Sequence, residues 1–152
     1  MRIRYDVQVT DQPLRPIAAV AMTTTWREFP HQWRGMLDEV YACLRPAGAA
    51  CGCNVMRYRD LPGEDRVDVE VGVEVSGAFP VSGRVQASAL PAGLAAVTTH
   101  RGPYEELGGA HLAVIRWCER QGRELTGERW EVYGDWNEDP ARLQTEIFYR
   151  LR

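Results

Sequence analysis

The clearest alternation of hydrophobic and polar positions lies in residues 67–75. Valine occupies every odd position of this segment, and acidic residues or glycine occupy the even positions. Strict alternation of this kind predicts a half-buried strand of an antiparallel sheet. Residues 55–58 are predicted to form a hairpin with it around the turn-rich segment 60–63.

Two stretches carry hydrophobic residues at helical spacing instead. The first helix is predicted to begin near residues 28–30, because proline is tolerated in a first helical turn. Pro46 and Gly48 are expected to end it. The second helix is predicted to open at Gly102-Pro103 and to close at Gly122, with one apolar stripe between them.

The remaining β-rich segments complete a pattern that occurs twice. Two such segments precede each predicted helix, at 7–9 and 17–23 and again at 85–89 and 94–100, and the last strands are predicted at 130–133 and 145–151. Three short sequence matches relate the halves. Residues 17–20 resemble residues 94–97, and residues 53–56 resemble residues 130–133, in both cases at an offset of 77 residues. Residues 69–71 resemble residues 145–147 at an offset of 76 residues.

These matches predict an internal duplication. We expect an α+β fold of two β-α-β-β units, with the first repeat at about residues 1–77 and the second at about 78–152. Each unit would contribute a sheet and one helix, and the two would pack about a pseudo-two-fold axis. A cleft at such an axis is a usual place for a ligand, because it is concave and lined from both halves.

Composition excludes several functions. All 18 basic residues are arginine, so lysine-dependent Schiff-base, pyridoxal phosphate and P-loop chemistry is excluded. None of the three serines lies in a nucleophile-elbow motif. The net charge of −3 and the absence of a basic patch argue against direct nucleic-acid binding. With no long apolar run or signal-peptide pattern, we expect a cytoplasmic protein without membrane contact.

The four cysteines indicate thiols rather than a metal site. Cys51-Gly-Cys53 could supply half of a zinc site, but no second Cys or His pair stands at the required spacing. We therefore expect no bound metal and no cofactor.

Glu131 is the most unusual polar residue. It lies in the apolar segment Trp130-Glu131-Val132-Tyr133 and shares a strand face with Tyr133, whereas its expected repeat partner is the neutral Asn54. On an exposed face Glu131 would simply be solvated. In a cleft, an unpaired carboxylate among aromatic rings would have a raised pKa, and it would then pair with a cation or act as an acid or base.

Several motifs of the second half, in order, resemble the GyrI-like effector-binding family. They are Leu90-Pro91-Ala92-Gly93, His100-Arg101-Gly102-Pro103-Tyr104, Trp117, Gly122, Trp130-Glu131-Val132-Tyr133 and Thr145-Glu146-Ile147. This family includes small-molecule domains of Rob/AraC-type and MerR-type multidrug regulators as well as stand-alone proteins. The resemblance implies two SHS2-type repeats around a hydrophobic cleft that takes amphipathic, often cationic aromatic compounds.

The resemblance also implies roles for individual residues. Glu131 would be the carboxylate that pairs with the ligand cation, and Tyr133 and Tyr104 would be aromatic walls. Trp117 is a candidate wall on the helix, and Phe148 is a further candidate on the last strand. A ring stack, a cation–π contact and a desolvated carboxylate together bind a lipophilic cation strongly.

Three functional hypotheses remain open. The first is a stand-alone protein that binds or senses lipophilic, cationic aromatic compounds. The second is a hydrolase of reactive cyclopropane-bearing alkylators, with Glu131 as general acid or base beside Tyr133 or Tyr104. The third is a gyrase-inhibitor-like interaction module with an acidic surface. No helix-turn-helix precedes the predicted repeats, so we expect any regulatory action to occur in trans, and exposed sheet edges permit a homodimer.

Overall fold

The computed structural model describes residues 4–152, which form one antiparallel sheet of eight strands with two helices on one face. This confirms the α+β class. The first half contains β1 (Gln8–Gln12), β2 (Arg15–Thr25), α1 (Trp33–Ala47), β3 (Ala50–Asp60) and β4 (Arg66–Ser76). The second half contains β5 (Val85–Leu90), β6 (Gly93–Arg101), α2 (Leu107–Gln121), β7 (Leu125–Tyr133) and β8 (Gln144–Leu151).

The strand order β1-β6-β8-β7-β3-β4-β2-β5 joins the halves into a single sheet. Strands β3 and β7 pair at its centre. The first strand of each half pairs with the second strand of the other half, β1 with β6 and β5 with β2. The expectation of one sheet per unit is therefore wrong. Separate sheets would leave the backbones of β3 and β7 as unpaired edges, whereas the joined sheet satisfies them.

The order strand-strand-helix-strand-strand occurs in both halves, and duplication of one unit remains a prediction. Residues paired by the sequence matches do not always occupy equivalent positions in the two halves. A spacing of 77 residues relates Ala18, which packs toward α1, to Ala95, which packs on the opposite face of the sheet. Its neighbour Ala96 is the residue that packs toward α2. A one-residue slip inverts the face of a strand, so short matches do not fix the register.

Each helix packs its apolar stripe on the strands of its own half. Met36, Val40 and Leu44 of α1 cover the valines of residues 67–75, which confirms the half-buried strand predicted there. Ala110, Val114 and Cys118 of α2 cover β6 and β8. A third cluster lies on the other face of the sheet and comprises Ile17, Ala19, Val55, Leu90, Ala95, Trp130, Val132 and Phe148.

Both helices begin later than predicted. A 3₁₀ turn at Phe29–His31 precedes α1, and another at Tyr104–Glu106 precedes α2. Each turn contains or directly follows a proline, which lacks the N–H for regular helical bonding. The helices end as predicted at Gly48 and Gly122, with φ of 64° and 66°, although Pro46 lies inside α1. Within residues 4–152, no helix has the length and apolarity needed to cross a bilayer.

Candidate ligand-binding site

Glu131 lies near the end of the central strand β7, on the face covered by the helices, and is only 5% exposed. Its Oε1 atom accepts hydrogen bonds from the Tyr58 hydroxyl at 2.6 Å and the Tyr133 hydroxyl at 2.7 Å. Its Oε2 atom lies 2.7 Å from His111 Nε2. The carboxylate is therefore buried but paired, held by β3 of one half and by β7 and α2 of the other.

These contacts determine the ionisation of Glu131. Burial by itself would raise the pKa of Glu131, but the hydrogen bond and charge of His111, together with the two tyrosine hydroxyls, outweigh it. The net result is a pKa below the ordinary glutamate value, so the raised pKa expected for an unpaired carboxylate is wrong. Burial and the charge of Glu131 raise the pKa values of Tyr58 and Tyr133 well above normal. Both tyrosines therefore remain protonated donors at neutral pH.

His111 extends this cluster to β8. Its Nδ1 atom lies 2.7 Å from the hydroxyl of Tyr149, whose pKa burial raises to about 12. A tyrosine hydroxyl can donate to a bare ring nitrogen or accept from a protonated one. His111 Nε2–H therefore donates to the Glu131 carboxylate, and Nδ1 has a partner in the Tyr149 hydroxyl whether or not it carries a proton.

An aromatic cavity of about 530 Å³ lies above this carboxylate, between the N-terminal ends of α1 and α2. Most of its wall is apolar, and residues of both halves contribute to it. The lining residues are Trp26, Phe29, Pro30, Trp33, Leu37, Asn54, Met56, Tyr58, Tyr104, Leu107, Glu131, Tyr133, Gly134 and Trp136. Trp136 is 71% exposed at the rim. This volume and lining are typical of sites for small organic molecules.

The rings of this wall hold one another in place. Tyr104 meets Tyr133 edge to face, with ring centroids 5.6 Å apart. Phe29 meets Tyr58 in the same way at 5.8 Å, and the centroid of Trp26 lies 5.1 Å from that of Tyr58. Such pairs contribute roughly 0.5–1.5 kcal/mol each beyond their buried area. The wall is therefore largely formed before any ligand enters.

A smaller recess of about 300 Å³ continues on the other side of Tyr58, where Arg129 and His111 line it. The Arg129 guanidinium lies 5.5 Å from the centroid of Trp26 and 5.7 Å from that of Tyr58. Asp60 accepts from it at 3.0 Å. These rings already bind one cation of the protein itself by cation–π contact.

Three of the five sequence-predicted site residues meet in the cavity: Glu131, Tyr133 and Tyr104. Trp117 does not line it, because it lies six residues beyond His111 on α2, so the two side chains point about 120° apart, and it packs with the core beneath that helix. Phe148 does not line it either. It is the neighbour of Ile147 and Tyr149, so its side chain points to the opposite face of the sheet, where it stacks on Trp130.

Sequence reasoning missed most of the site. Tyr58, His111, Trp26 and Trp33 lie beside Glu131 or in the cavity wall, and none was among the predicted ligand-binding residues. One signal was available, since His111 lies four residues after Leu107 on the apolar stripe of the second helix. The contribution of Tyr58 depends on the pairing of β3 with β7, which no local pattern indicates.

Comparisons with known proteins identify the fold and the family of this chain. The C-terminal domain of EcmrR superposes with a TM-score of 0.83 at 21% identity, over 99% of both chains. In the EcmrR–DNA complex the chain spans 57% of the length of EcmrR. A hydrolase from Listeria innocua gives a TM-score of 0.68 at 12% identity, over 96% of this chain and 91% of that one.

A structure of SAV2435 bound to tetraphenylphosphonium gives a TM-score of 0.66 at 13% identity, over 97% of this chain and 94% of that one. At these identities the solved structures establish the fold alone. No curated protein gives a significant match. The sequence profile of the GyrI-like small molecule binding domain matches residues 5–152. The chain therefore belongs to the GyrI-like small molecule binding domain family.

Proposed function

We propose that this protein binds lipophilic cations that carry aromatic rings, in the cavity between the two helices. The observation that carries the proposal is a buried, ionised carboxylate, Glu131, in the wall of an aromatic cavity. A carboxylate has about four lone-pair positions, and three donors occupy three of them here. One lone-pair position of the carboxylate therefore remains for a ligand.

The chemistry of the wall fits such a ligand. Rings from Trp26, Trp33 and Tyr104 present π faces or edges to the cavity, and a cation over an aromatic face gains about 0.5–2 kcal/mol. The attraction between a cation and Glu131 is stronger away from water than at an exposed site. The similar fold of SAV2435, which was solved with the lipophilic cation tetraphenylphosphonium, supports this ligand class.

Calorimetric titration with tetraphenylphosphonium tests the proposal. Glu131→Gln keeps the shape of the side chain and removes its charge, so we expect affinity to fall roughly 10–100-fold, the equivalent of one charge-assisted interaction. Glu119→Gln removes the same charge from an exposed position on α2 and is the matched control. Equal affinities for wild type and Glu131→Gln would refute the role of Glu131, and no binding by wild type would refute the ligand class.

A second candidate is hydrolysis of cyclopropane-bearing alkylators, which the ionised state of Glu131 and its contact with His111 favour. Glu131 would take a proton from water while the water oxygen attacks the strained ring carbon, and the opening ring would take up the electron pair. The same Glu131→Gln variant separates the candidates. Hydrolysis predicts turnover that the substitution abolishes while the intact alkylator still binds, whereas pure binding predicts no turnover by wild type.

The proposal extends to the setting of the protein. Binding without chemistry would let the protein sequester a toxic cation, or sense it on behalf of a regulator in trans. A cytoplasmic location suits the four cysteines, which are free thiols, since a reducing compartment maintains that state.

A further inference from the structure

We propose that His111 determines which ligand charge the cavity accepts, because its protonation neutralises Glu131 from inside the protein. The inference rests on the proposed function and adds a property to it, namely that binding of a cation is coupled to the release of a proton. It is carried by the position of His111 between the Glu131 carboxylate and the Tyr149 hydroxyl, 2.7 Å from each.

The geometry permits two charge states at the same place. In the neutral state, His111 Nε2–H donates to Glu131, and the bare Nδ1 accepts from the Tyr149 hydroxyl. In the protonated state, the Nε2 bond is unchanged, and Nδ1–H donates to the Tyr149 oxygen after a rotation of its hydroxyl. Both ring nitrogens of His111 keep a hydrogen-bond partner in either state, so neither state carries the penalty of an unpaired ring nitrogen.

The other groups around His111 hold their charge near neutral pH. Glu131 faces it from β7, and besides His111 the hydroxyls of Tyr58 and Tyr133 lower the pKa of this carboxyl. Tyr58 on β3 and Tyr149 on β8 remain neutral, because burial raises the pKa of each. Arg129 lines the same recess, and its charge is compensated by Asp60.

Two uncharged residues also line this recess. Leu107 and Gly108, on the preceding turn of α2, carry no charge. Cys118 lies further along α2, and burial raises the pKa of its thiol, which keeps it neutral. An imidazole is the one side chain whose unperturbed titration falls between pH 5 and 8. Within this described cluster, His111 is the group whose two ring nitrogens keep a hydrogen-bond partner in either charge state.

The protonation state of His111 determines the net charge that the His111–Glu131 pair presents to a ligand. With His111 protonated, the pair with Glu131 has no net charge, and the cavity favours a neutral aromatic ligand. With His111 neutral, one negative charge is left for a cation. A cation that binds while His111 is protonated must displace that proton, and the His111 side chain, which is 18% exposed, can release it to solvent.

The test uses tetraphenylphosphonium, whose positive charge does not depend on pH. Calorimetric titrations at pH 5.5–8.5, each in two buffers with different heats of ionisation, measure both its affinity and the protons released. For wild type we expect affinity to rise with pH, by about tenfold per unit at most, with up to one proton released at the acid end. His111→Gln can bond both neighbours without titrating, so we expect a flat profile and tighter binding than wild type at pH 5.5.

His31→Gln is the matched control, because it removes another histidine, outside the cavity lining, and is expected to keep the wild-type slope. A flat wild-type profile without proton release would overturn the inference while leaving the proposed function intact. An unchanged slope in His111→Gln would do the same. No binding by any of the three proteins at any pH would refute the proposed function, and the inference with it.

Discussion

Tyr58→Phe tests how the buried carboxylate is stabilised. The substitution removes the hydroxyl that donates to Glu131 Oε1 at 2.6 Å and keeps the ring, which is 6% exposed and packed against Trp26 and Phe29. A hydrogen bond to a charged group contributes about 1.5–3 kcal/mol. We therefore expect the free energy of unfolding at pH 7 to fall by about 2 kcal/mol, which in a chain of this size lowers Tm by roughly 4–8 °C.

The loss should depend on pH in a defined direction. The pKa of Glu131 is depressed in the folded protein, so its ionisation stabilises the fold above the ordinary glutamate pKa. That stability is lost as pH falls through the folded pKa. Because Tyr58→Phe weakens the interaction with the ionised form, its deficit relative to wild type should be largest at pH 7 and should shrink on acidification.

Urea denaturation at a series of pH values, from 7 downward as far as the wild type remains folded, measures this difference. Tyr41→Phe is the control, because the Tyr41 hydroxyl donates to the neutral amide of Asn54, and its deficit should not change with the ionisation of Glu131. A deficit for Tyr58→Phe that stays the same while the wild type loses stability through protonation of Glu131 would refute the reasoning. So would a variant as stable as wild type at pH 7.

Two further predictions concern the framework of the site. Gly72→Ala should lower the free energy of unfolding in urea denaturation by more than about 3 kcal/mol, because a Cβ there would lie 2.0 Å from the backbone oxygen of Ala18. A denaturation midpoint equal to that of wild type would contradict the packing described. Met36→Ala should lower the free energy of unfolding by about 2–5 kcal/mol in the same assay, since Met36 is 1% exposed on the buried face of α1. A loss below about 1 kcal/mol would mean that neighbouring side chains fill the cavity left by the substitution.

Local patterns predicted the elements well and their partners less well. The alternation in residues 67–75 and the glycines at 48 and 122 depend on the backbone of one segment, and the structure agrees with each. Strand pairing depends on contacts between distant segments. β1 and β2 are consecutive in the chain, yet they lie far apart in the order of the sheet. No local signal distinguishes that arrangement from a hairpin.

The sequence predicted those residues of the candidate site that lie together on one strand. Glu131 and Tyr133 share a strand face by the two-residue period, and both line the cavity. The ionisation of Glu131 was predicted in the wrong direction, because the groups that lower its pKa lie on other elements. His111 is twenty residues away in sequence and Tyr58 more than seventy. A carboxylate in an apolar segment indicates a site, but its partners determine its charge.

The exchange of edge strands between the halves affects the order in which the chain can fold during synthesis. Residues 15–20 of β2 pair on their outer edge, away from β4, with residues 85–90, and β1 pairs with residues 93–97. The first half therefore leaves the ribosome with an unpaired edge, and it keeps that edge until well into translation of the second half. Exposed edges of this kind template association between chains, and pairing over long sequence distances is slow. We expect nascent chains stopped before residue 85 to associate through the edge of β2, whereas those that extend past residue 100 can close that edge from within and leave the edge of β3 open until β7 is made.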